Sequence, residues 1–288
     1  MNQYHKTNKV RDKYFSIINT QDKAYILGIL LADGHLEKRR NAVSLSLSGK
    51  DDGRVVQQIA NRLFIDTYYI HNDNHSEKNS KHQDRFHLWL TSKQMTRDLS
   101  RLGFTDNKSK DCQFDFKSIP SHLFPHFLRG FFDGDGSVFL TKYNSLNVHF
   151  VGLLNIIEYI REYLKSIGIR SGLYPCFSTD AVWELRFGNV HNVHKIYELM
   201  YKNAKLYLPR KKKKFEMGFV SLNSELKRTY TSQFSGVSFD KARNKWKVST
   251  WNKNKPINIG RYNTEIDAAR AYNQFVLDNK LNKELNKI

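Results

Sequence analysis

Residues 22–36 read DKAYILGILLADGHL, and residues 124–138 read FPHFLRGFFDGDGSV. Each is an apolar helical stretch with a glycine in mid-run and Asp-Gly at its end. The closing aspartates, Asp33 and Asp135, stand 102 residues apart. Beyond each aspartate the chain keeps to a single plan. VSLSLS (43–48) and LNVHFV (146–151) alternate as strands, and VVQQIANRLFI (55–65) and IIEYIREYLKSIGI (156–169) carry helical periodicity. RFHLWL (85–90) and VWELRF (182–187) alternate again, and SKQMTRDLSRLGF (92–104) and NVHNVHKIYELMY (189–201) end each unit as a helix. The duplicated unit is helix, two strands, helix, two strands, helix; two copies in one chain predict an internal pseudo-dimer.

The repeated helices carry their own start and stop signals. Thr20 is a good N-cap with Asp22 in the first turn; Ser121 is the expected cap of the second helix, with Pro125 early, where its missing N–H is tolerated. Gly34 and Gly136 are placed for a left-handed residue at the helix end. Gly28 and Gly130 each lower helix propensity by about 1 kcal/mol, a loss that makes sense if the two helices meet backbone to backbone. Asp33 and Asp135 are the oddity. A carboxylate at a helix C-terminus meets the partial negative charge of unpaired carbonyls, and parallel pairing of the helices sets the two acids side by side. Such a pair calls for a cation, and a site of few carboxylates, water and phosphate suits Mg²⁺. A Mg²⁺ site facing a phosphate is equipment for phosphodiester hydrolysis.

Composition limits the alternatives. The chain has 288 residues with 47 Lys and Arg against 28 Asp and Glu, a net charge of +19. The pI is about 9.8 and the mean hydropathy −0.62. Hydrophobic content of 40% supports packed cores and excludes wholesale disorder. No apolar run reaches the ~20 residues of a membrane span, and MNQYHKTNKVRDKYF has no apolar core of a secretory signal. Two cysteines, Cys112 and Cys176, build neither a disulfide framework nor a Cys-rich zinc module. The expectation is a soluble intracellular protein whose positive field draws a polyanion, nucleic acid above all. The charge is spread: residues 228–288 hold 12 Lys and Arg against 5 Asp and Glu, and the densest run is Arg210–Lys214. The histidine pairs His71/His75, His122/His126 and His191/His194 lack the further ligands of a zinc site.

ILGILLADG (26–34) and LRGFFDGDG (128–136) resemble the two signature helices of the LAGLIDADG homing endonucleases, over about residues 20–217. NKSK before the second signature and LPRKKKKF after the second repeat are similar to that family's free-standing and intein-type branch. The resemblance implies that Asp33 and Asp135 hold the metals, Mg²⁺ or Mn²⁺ in its place, one active site per strand, with Gly34 and Gly136 beside them at the metal sites. It implies Asp133 as an accessory ligand without a symmetry mate, since Leu31 stands at the matching position. It also implies a basic residue late in each repeat, Lys108 and Lys211, with Lys212 as the neighbouring alternative; such a lysine polarises water or holds charge on the phosphorane. There is no nucleophilic first residue and no His-Asn end, so the expectation is a free-standing, monomeric nuclease of a mobile element such as an intron.

Alternation assigns the surfaces that would read duplex DNA. Ser44, Ser46, Arg85, His87, Asn147, His149 and Arg186 fall on the free strand faces, and these are types that hydrogen-bond base edges. Lys38, Arg39, Arg40 and Lys142 come after the signatures and suit phosphates. After a polar linker (221–233), FSGVSFD, KWKVSTWN and KPINIGRY read as three antiparallel strands, and TEIDAARAYNQFVLDNK (264–280) as a helix capped by Thr264. This resembles the APETALA/ethylene-response type of DNA-binding domain over roughly 230–280. By alternation Trp246, Val248 and Ile257 pack on the helix, and Lys245, Lys247, Ser249, Trp251 and Asn258 face DNA. The fold expected is α+β: two pseudo-symmetric αββαββα repeats (21–117 and 118–220) forming a DNA-binding saddle behind an N-terminal extension (1–20), plus a small three-stranded sheet with one packed helix (234–288). The function expected is site-specific, Mg²⁺-dependent double-strand cleavage. A non-catalytic DNA-binding regulator and an RNA splicing cofactor are the alternatives, and the presence of both acids favours the nuclease.

Overall fold

The computed structural model describes residues 9–49, 51–73, 84–141, 145–176, 181–229, 232–252 and 255–288, with backbone alone over 221–229. Lys142 and His75 lie outside the described residues. The chain divides into two units, Met1–Val220 and Ser221–Ile288.

The first unit holds both repeats. Helix α1 (Gln21–Asp33) runs into strand β1 (Gly34–Glu37), followed by β2 (Ala42–Ser48), α2 (Asp52–Leu63), β3 (Ile70–Asp73), β4 (Arg85–Thr91) and α3 (Lys93–Arg101). A short helix, α4 (Lys108–Asp111), leads to the second copy: α5 (Phe124–Asp135), β5 (Gly136–Leu140), β6 (Leu146–Leu153), α6 (Leu154–Ser166), β7 (Gly172–Pro175), β8 (Val182–Phe187) and α7 (Val190–Tyr201). Each copy forms an antiparallel four-stranded sheet, in the orders β1-β2-β4-β3 and β5-β6-β8-β7. The inward residues are those that alternation selects: Val43, Leu45, Leu47, Leu88 and Leu90 in one sheet, and Val148, Phe150, Leu185 and Phe187 in the other, are buried.

The two sheets are joined by α1 and α5, apolar nearly all round. Their closest approach is at the mid-helix glycines. A Cβ on Gly28 would lie 2.1 Å from the Phe127 carbonyl oxygen, and one on Gly130 would lie 2.0 Å from that of Tyr25. No other side chain fits there, which explains the loss of helix propensity. Thr20 caps α1 as expected, accepting from the Lys23 N–H.

The ends differ from expectation in two places. Ser121–Leu123 form a 3-10 turn, and α5 begins at Phe124 without a side-chain cap; Ser121 is one turn too early. Gly34 and Gly136 are extended (φ −79° and −85°), not left-handed, because each helix runs straight into a strand and no reversal is needed. Glycine is required there for space: a Cβ on Gly34 would stand 2.5 Å from the Leu30 carbonyl oxygen, and one on Gly136 2.1 Å from the Phe132 ring.

Helix α8 (Pro209–Thr229) comes after the second copy, so residues 221–229 of the polar segment are helical. The second unit contains β9 (Val237–Asp240), β10 (Lys245–Asn252), β11 (Lys255–Tyr262) and α9 (Glu265–Asp278) in one antiparallel sheet of order β11-β10-β9 with the helix against it. Thr264 caps α9 through the Asp267 N–H. Val237, Val248, Ala268, Ala269, Tyr272 and Val276 form its core, flanked by Trp246 and Ile259. Ile257 pairs with buried Thr250 but is only half-buried; a bulge between Val248 and Ser249 shifts the register and brings Ile259 onto the core instead. No helix among the described residues is long and apolar enough to cross a membrane.

Candidate active site at the paired helix ends

Crossing at Gly28 and Gly130 brings the C-termini of α1 and α5 together. A Cβ on Gly134 would meet the Ala32 Cβ at 2.3 Å and the Asp33 Oδ2 at 3.0 Å, so the Asp33 carboxylate lies over the residue before Asp135. Both aspartates reach solvent. Helix ends and side chains behind them displace much of the surrounding water, and this pushes both carboxyls up. Asp135 rises to about 6, with the negative charge of Asp33 adding to the effect, and Lys108 and Lys211 pulling the other way. For Asp33 the cations opposing burial are Lys108, Lys211 and Arg210. Neither carboxylate has an ion pair within 4 Å among the described residues.

The two lysines sit behind the acids. Lys108, at the start of α4, donates to the carbonyls of Leu31 (2.8 Å) and Ala32 at the end of α1. Lys211, in the first turn of α8, donates to the Gly136 and Phe132 carbonyls (3.4 Å for Phe132) and lies over the Phe132 ring. Each ammonium thus neutralises the negative end of its own repeat's helix. Burial lowers both, Lys211 to about 8, and the charges of Asp135 and Asp33 hold Lys108 up against that pull. Lys212 turns away, over the Tyr207 ring at 4.8 Å and toward Glu216, so Lys211 is the lysine at the helix ends.

Asp133 does not join this group. It is fully buried and accepts from the Tyr25 hydroxyl (2.8 Å), the Tyr201 hydroxyl (2.6 Å) and the Leu208 N–H (2.7 Å). Two residues back along a helix is about 200° round its axis, so an acid there faces the core when Asp135 faces out. Burial raises its carboxyl to about 6, against the three hydrogen bonds. The accessory-ligand expectation is therefore corrected: Asp133 ties α5 to α7 and to the chain entering α8. Asp133→Ala is expected to destabilise the first unit by about 2–4 kcal/mol, because three buried donors lose their acceptor. Urea unfolding measures this; a change below about 0.5 kcal/mol would mean that the network contributes nothing.

Sequence reasoning missed Asp52 and Arg210. Asp52 is fully buried at the start of α2, and the Arg210 Nε donates to both of its oxygens, at 3.1 and 3.0 Å. This pair links the end of the second repeat to the first and places a guanidinium in the field of Asp33. The adjacency of Arg210 to Lys211 was its only sequence signal.

A metal would find two carboxylates here. Among the described residues no group of three or more His, Cys, Asp or Glu gathers to hold an ion. The carbonyl of Gly136 already accepts from Lys211, and Gly34 and Gly136 are themselves buried. Water or ligand oxygens would complete a cation's shell there, a donor set that fits Mg²⁺.

The sheet faces place the other expected residues. Lys38, Arg39 and Arg40 form an exposed 3-10 turn between β1 and β2, where Arg40 pairs with Glu37 at 3.2 Å. Ser44 and Ser46 are half-buried; Ser46 hydrogen-bonds the His87 ring at 2.6 Å, and His87 meets Asp73 at 3.1 Å. Arg85 is exposed and reaches Ser48 at 3.4 Å. Asn147 donates to the Ser145 carbonyl (3.3 Å), while His149 and Arg186 both engage Glu184. In the second unit Lys245, Trp251 and Asn258 are exposed and Lys247 half-buried.

Residues 20–105 match the model of the LAGLIDADG-like domain. No curated protein sequence matches the chain. Among solved structures, full-length DUF199/WhiA from Thermatoga maritima is similar at 13% identity over 74% of this chain, with a TM-score of 0.45. This chain spans 64% of that protein's length. The LAGLIDADG homing endonuclease I-GzeII, in complex with its DNA target, is similar at 14% identity over 71% of this chain and 91% of its own, with a TM-score of 0.47. The homing endonuclease I-WcaI, bound to its DNA recognition sequence, gives 14%, 70%, 90% and 0.46 for the same measures.

Proposed function

We propose that this chain is a site-specific DNA endonuclease of the LAGLIDADG type, making a double-strand break by Mg²⁺-dependent phosphodiester hydrolysis. The observation that carries the reading is the convergence of Asp33 and Asp135, solvent-open and without an ion pair among the described residues, on one end of the helix pair. Two acids held where each other and the helix ends repel them need a cation, and a basic protein of net charge +19 presents that cation to a polyanion. Mg²⁺ at the two carboxylates would supply a water of lowered pKa and a positive charge for the phosphate oxygens. Lys108 and Lys211 hold the helix ends neutral behind the acids, and each ammonium keeps a donor for charge that develops on the phosphate. The sheet faces would take the major groove on either side. The carboxylate chemistry favours a nuclease of a mobile element over a regulator on the same fold, for which the paired acids have no use.

The test is incubation with Mg²⁺ and a plasmid carrying the uninterrupted form of the locus beside the gene. Linear product is expected with Mg²⁺ and none with EDTA. Tight binding without cleavage would replace the enzyme by a DNA-binding regulator; binding to folded RNA alone would replace it by a splicing cofactor.

The second unit adds a further surface, of the APETALA/ethylene-response type by its residues. Exposed Lys245, Trp251 and Asn258 lie on its sheet. Deleting residues 228–288 is expected to weaken DNA binding and flatten its salt dependence, because fewer phosphates are neutralised, while cleavage at saturating protein persists. Affinity measured over a range of about 50 to 300 mM salt decides this; superimposable curves for the full and shortened chains would rule the unit out as a DNA contact.

A further inference from the structure

We infer that Arg186 reads a single guanine in the major groove, in the half of the target covered by the second repeat, and that Glu184 and Tyr174 are its positioning residues. The inference rests on the DNA-binding part of the proposed function and not on cleavage.

Arg186 stands on the free face of β8, opposite His149 of β6. Its Nε donates to Glu184 Oε2 at 2.7 Å, and its Nη2 lies 2.6 Å from the same oxygen. Its guanidinium carbon sits 4.7 Å from the centre of the Tyr174 ring. Glu184 is itself fixed: its side chain is 12% exposed, and its other oxygen, Oε1, meets His149 Nδ1. One edge of the guanidinium is therefore held by a carboxylate and one face by an aromatic ring. The remaining edge, Nη1 with the outer hydrogen of Nη2, has no partner among the described residues and forms a two-donor fork on an arginine still 43% exposed. That fork matches the O6 and N7 acceptors of guanine and no other base edge. A phosphate contact needs no such restraint, and it would gain nothing from a carboxylate beside it, which repels the backbone. An acid on a groove-facing surface makes sense as the part that aims the arginine.

The first repeat serves as an internal comparison. Gly34 pairs with Leu45, which pairs with Leu88; Gly136 pairs with Phe150, which pairs with Leu185. Leu88 and Leu185 are thus equivalent, so Trp89 occupies the place of Arg186, His87 that of Glu184, and His71 that of Tyr174. Trp89 is 48% exposed and has one donor, with no fork. The guanine is expected in one half of the target and not at the symmetric position of the other.

The test is selection of bound duplexes from a randomised library by the full chain in EDTA, followed by affinity measurements on the selected site and its single-base variants. The wild type is expected to return a site with one position held as guanine, favoured about ten- to hundredfold over other bases. Arg186→Ala is expected to make that one position degenerate and leave the others unchanged. Arg186→Lys keeps the charge and is expected to lose most of the preference. Glu184→Gln is expected to bind total DNA at least as well, having lost a negative charge, while its guanine preference falls several-fold. Uniform weakening across all sequences in Arg186→Ala, with the salt slope reduced by about one, would make Arg186 a phosphate contact and overturn the inference. An unchanged guanine preference in Glu184→Gln would overturn the positioning role. Specific binding with no position that depends on Arg186 sinks this inference alone; failure to bind duplex DNA sinks the DNA-binding reading with it.

Discussion

Asp135→Asn is expected to lower strand cleavage by at least about a thousandfold, on the order of 4 kcal/mol of transition-state stabilisation, while DNA binding stays intact. Asparagine keeps the shape and removes the charge. The carboxylate has no ion pair within 4 Å among the described residues; Lys108 loses part of the charge that holds it up but keeps Asp33 and its two carbonyl acceptors. Because Asp33 lies over Gly134 and its charge acts on Asp135, the loss of one acid is felt at the other even with one active site per strand. Removing either halves the negative charge available to a metal there. Both strands are therefore expected to survive in either single variant, with no build-up of nicked circles. Removal of repulsion between the acids and the helix ends also means that Asp135→Asn should unfold at the same or higher urea concentration. Plasmid cleavage resolved into supercoiled, nicked and linear forms is the measurement. Cleavage by the variant within tenfold of the wild type would remove Asp135 from the active site.

Gly130→Ala is the second large effect, and it acts on the fold. The added methyl would stand 2.0 Å from the Tyr25 carbonyl oxygen and 2.8 Å from the Ile29 nitrogen, both backbone atoms of α1. Backbone in the middle of a buried helix does not step aside as a flexible side chain does. The helices must separate, and separation opens the packing of Ile26, Ile29, Phe127 and Phe131, all buried. A loss of more than about 3 kcal/mol is expected, enough to leave a marginal domain largely unfolded. In an ordinary exposed helix the same substitution would stabilise by up to about 1 kcal/mol, so the sign itself is diagnostic. Chemical denaturation or soluble yield measures it, and Gly28→Ala should behave alike, with its methyl 2.1 Å from the Phe127 oxygen. A Gly130→Ala protein of wild-type stability would contradict the close crossing.

The repeat, the strand faces and the helix pair were legible because each depends on local spacing. Glycine in mid-helix marks a backbone approach wherever the partner lies. Alternation sorts Ser44 from Leu45 without knowledge of the neighbouring strand. Three features were not legible. The role of Asp133 turned on the direction of its side chain, and an acid two residues before Asp135 looks the same in sequence whether it faces solvent or two tyrosines. The Asp52–Arg210 pair joins residues 158 positions apart, and nothing in Asp51-Asp52-Gly53 announces a buried acid. Gly34 and Gly136 carried the signal of a helix end, but the signal was for space and not for a left-handed turn. On the sheet faces alternation put Glu184 and Arg186 on one face, but the cross-strand partners, His149 for Glu184 and Asp73 for His87, came only with strand register.

On the proposed function, Asp33 and Asp135 together hold divalent metal at the paired helix ends. Titration of Mn²⁺ into the protein–DNA complex, monitored by the loss of its free electron-resonance signal, tests that claim without requiring turnover. The wild type is expected to take up Mn²⁺ saturably and to release it to competing Mg²⁺, and the Asp33→Asn/Asp135→Asn chain is expected to take up none at the same concentrations while still binding DNA. Equal Mn²⁺ uptake by the two proteins would place the metal elsewhere and contradict the claim.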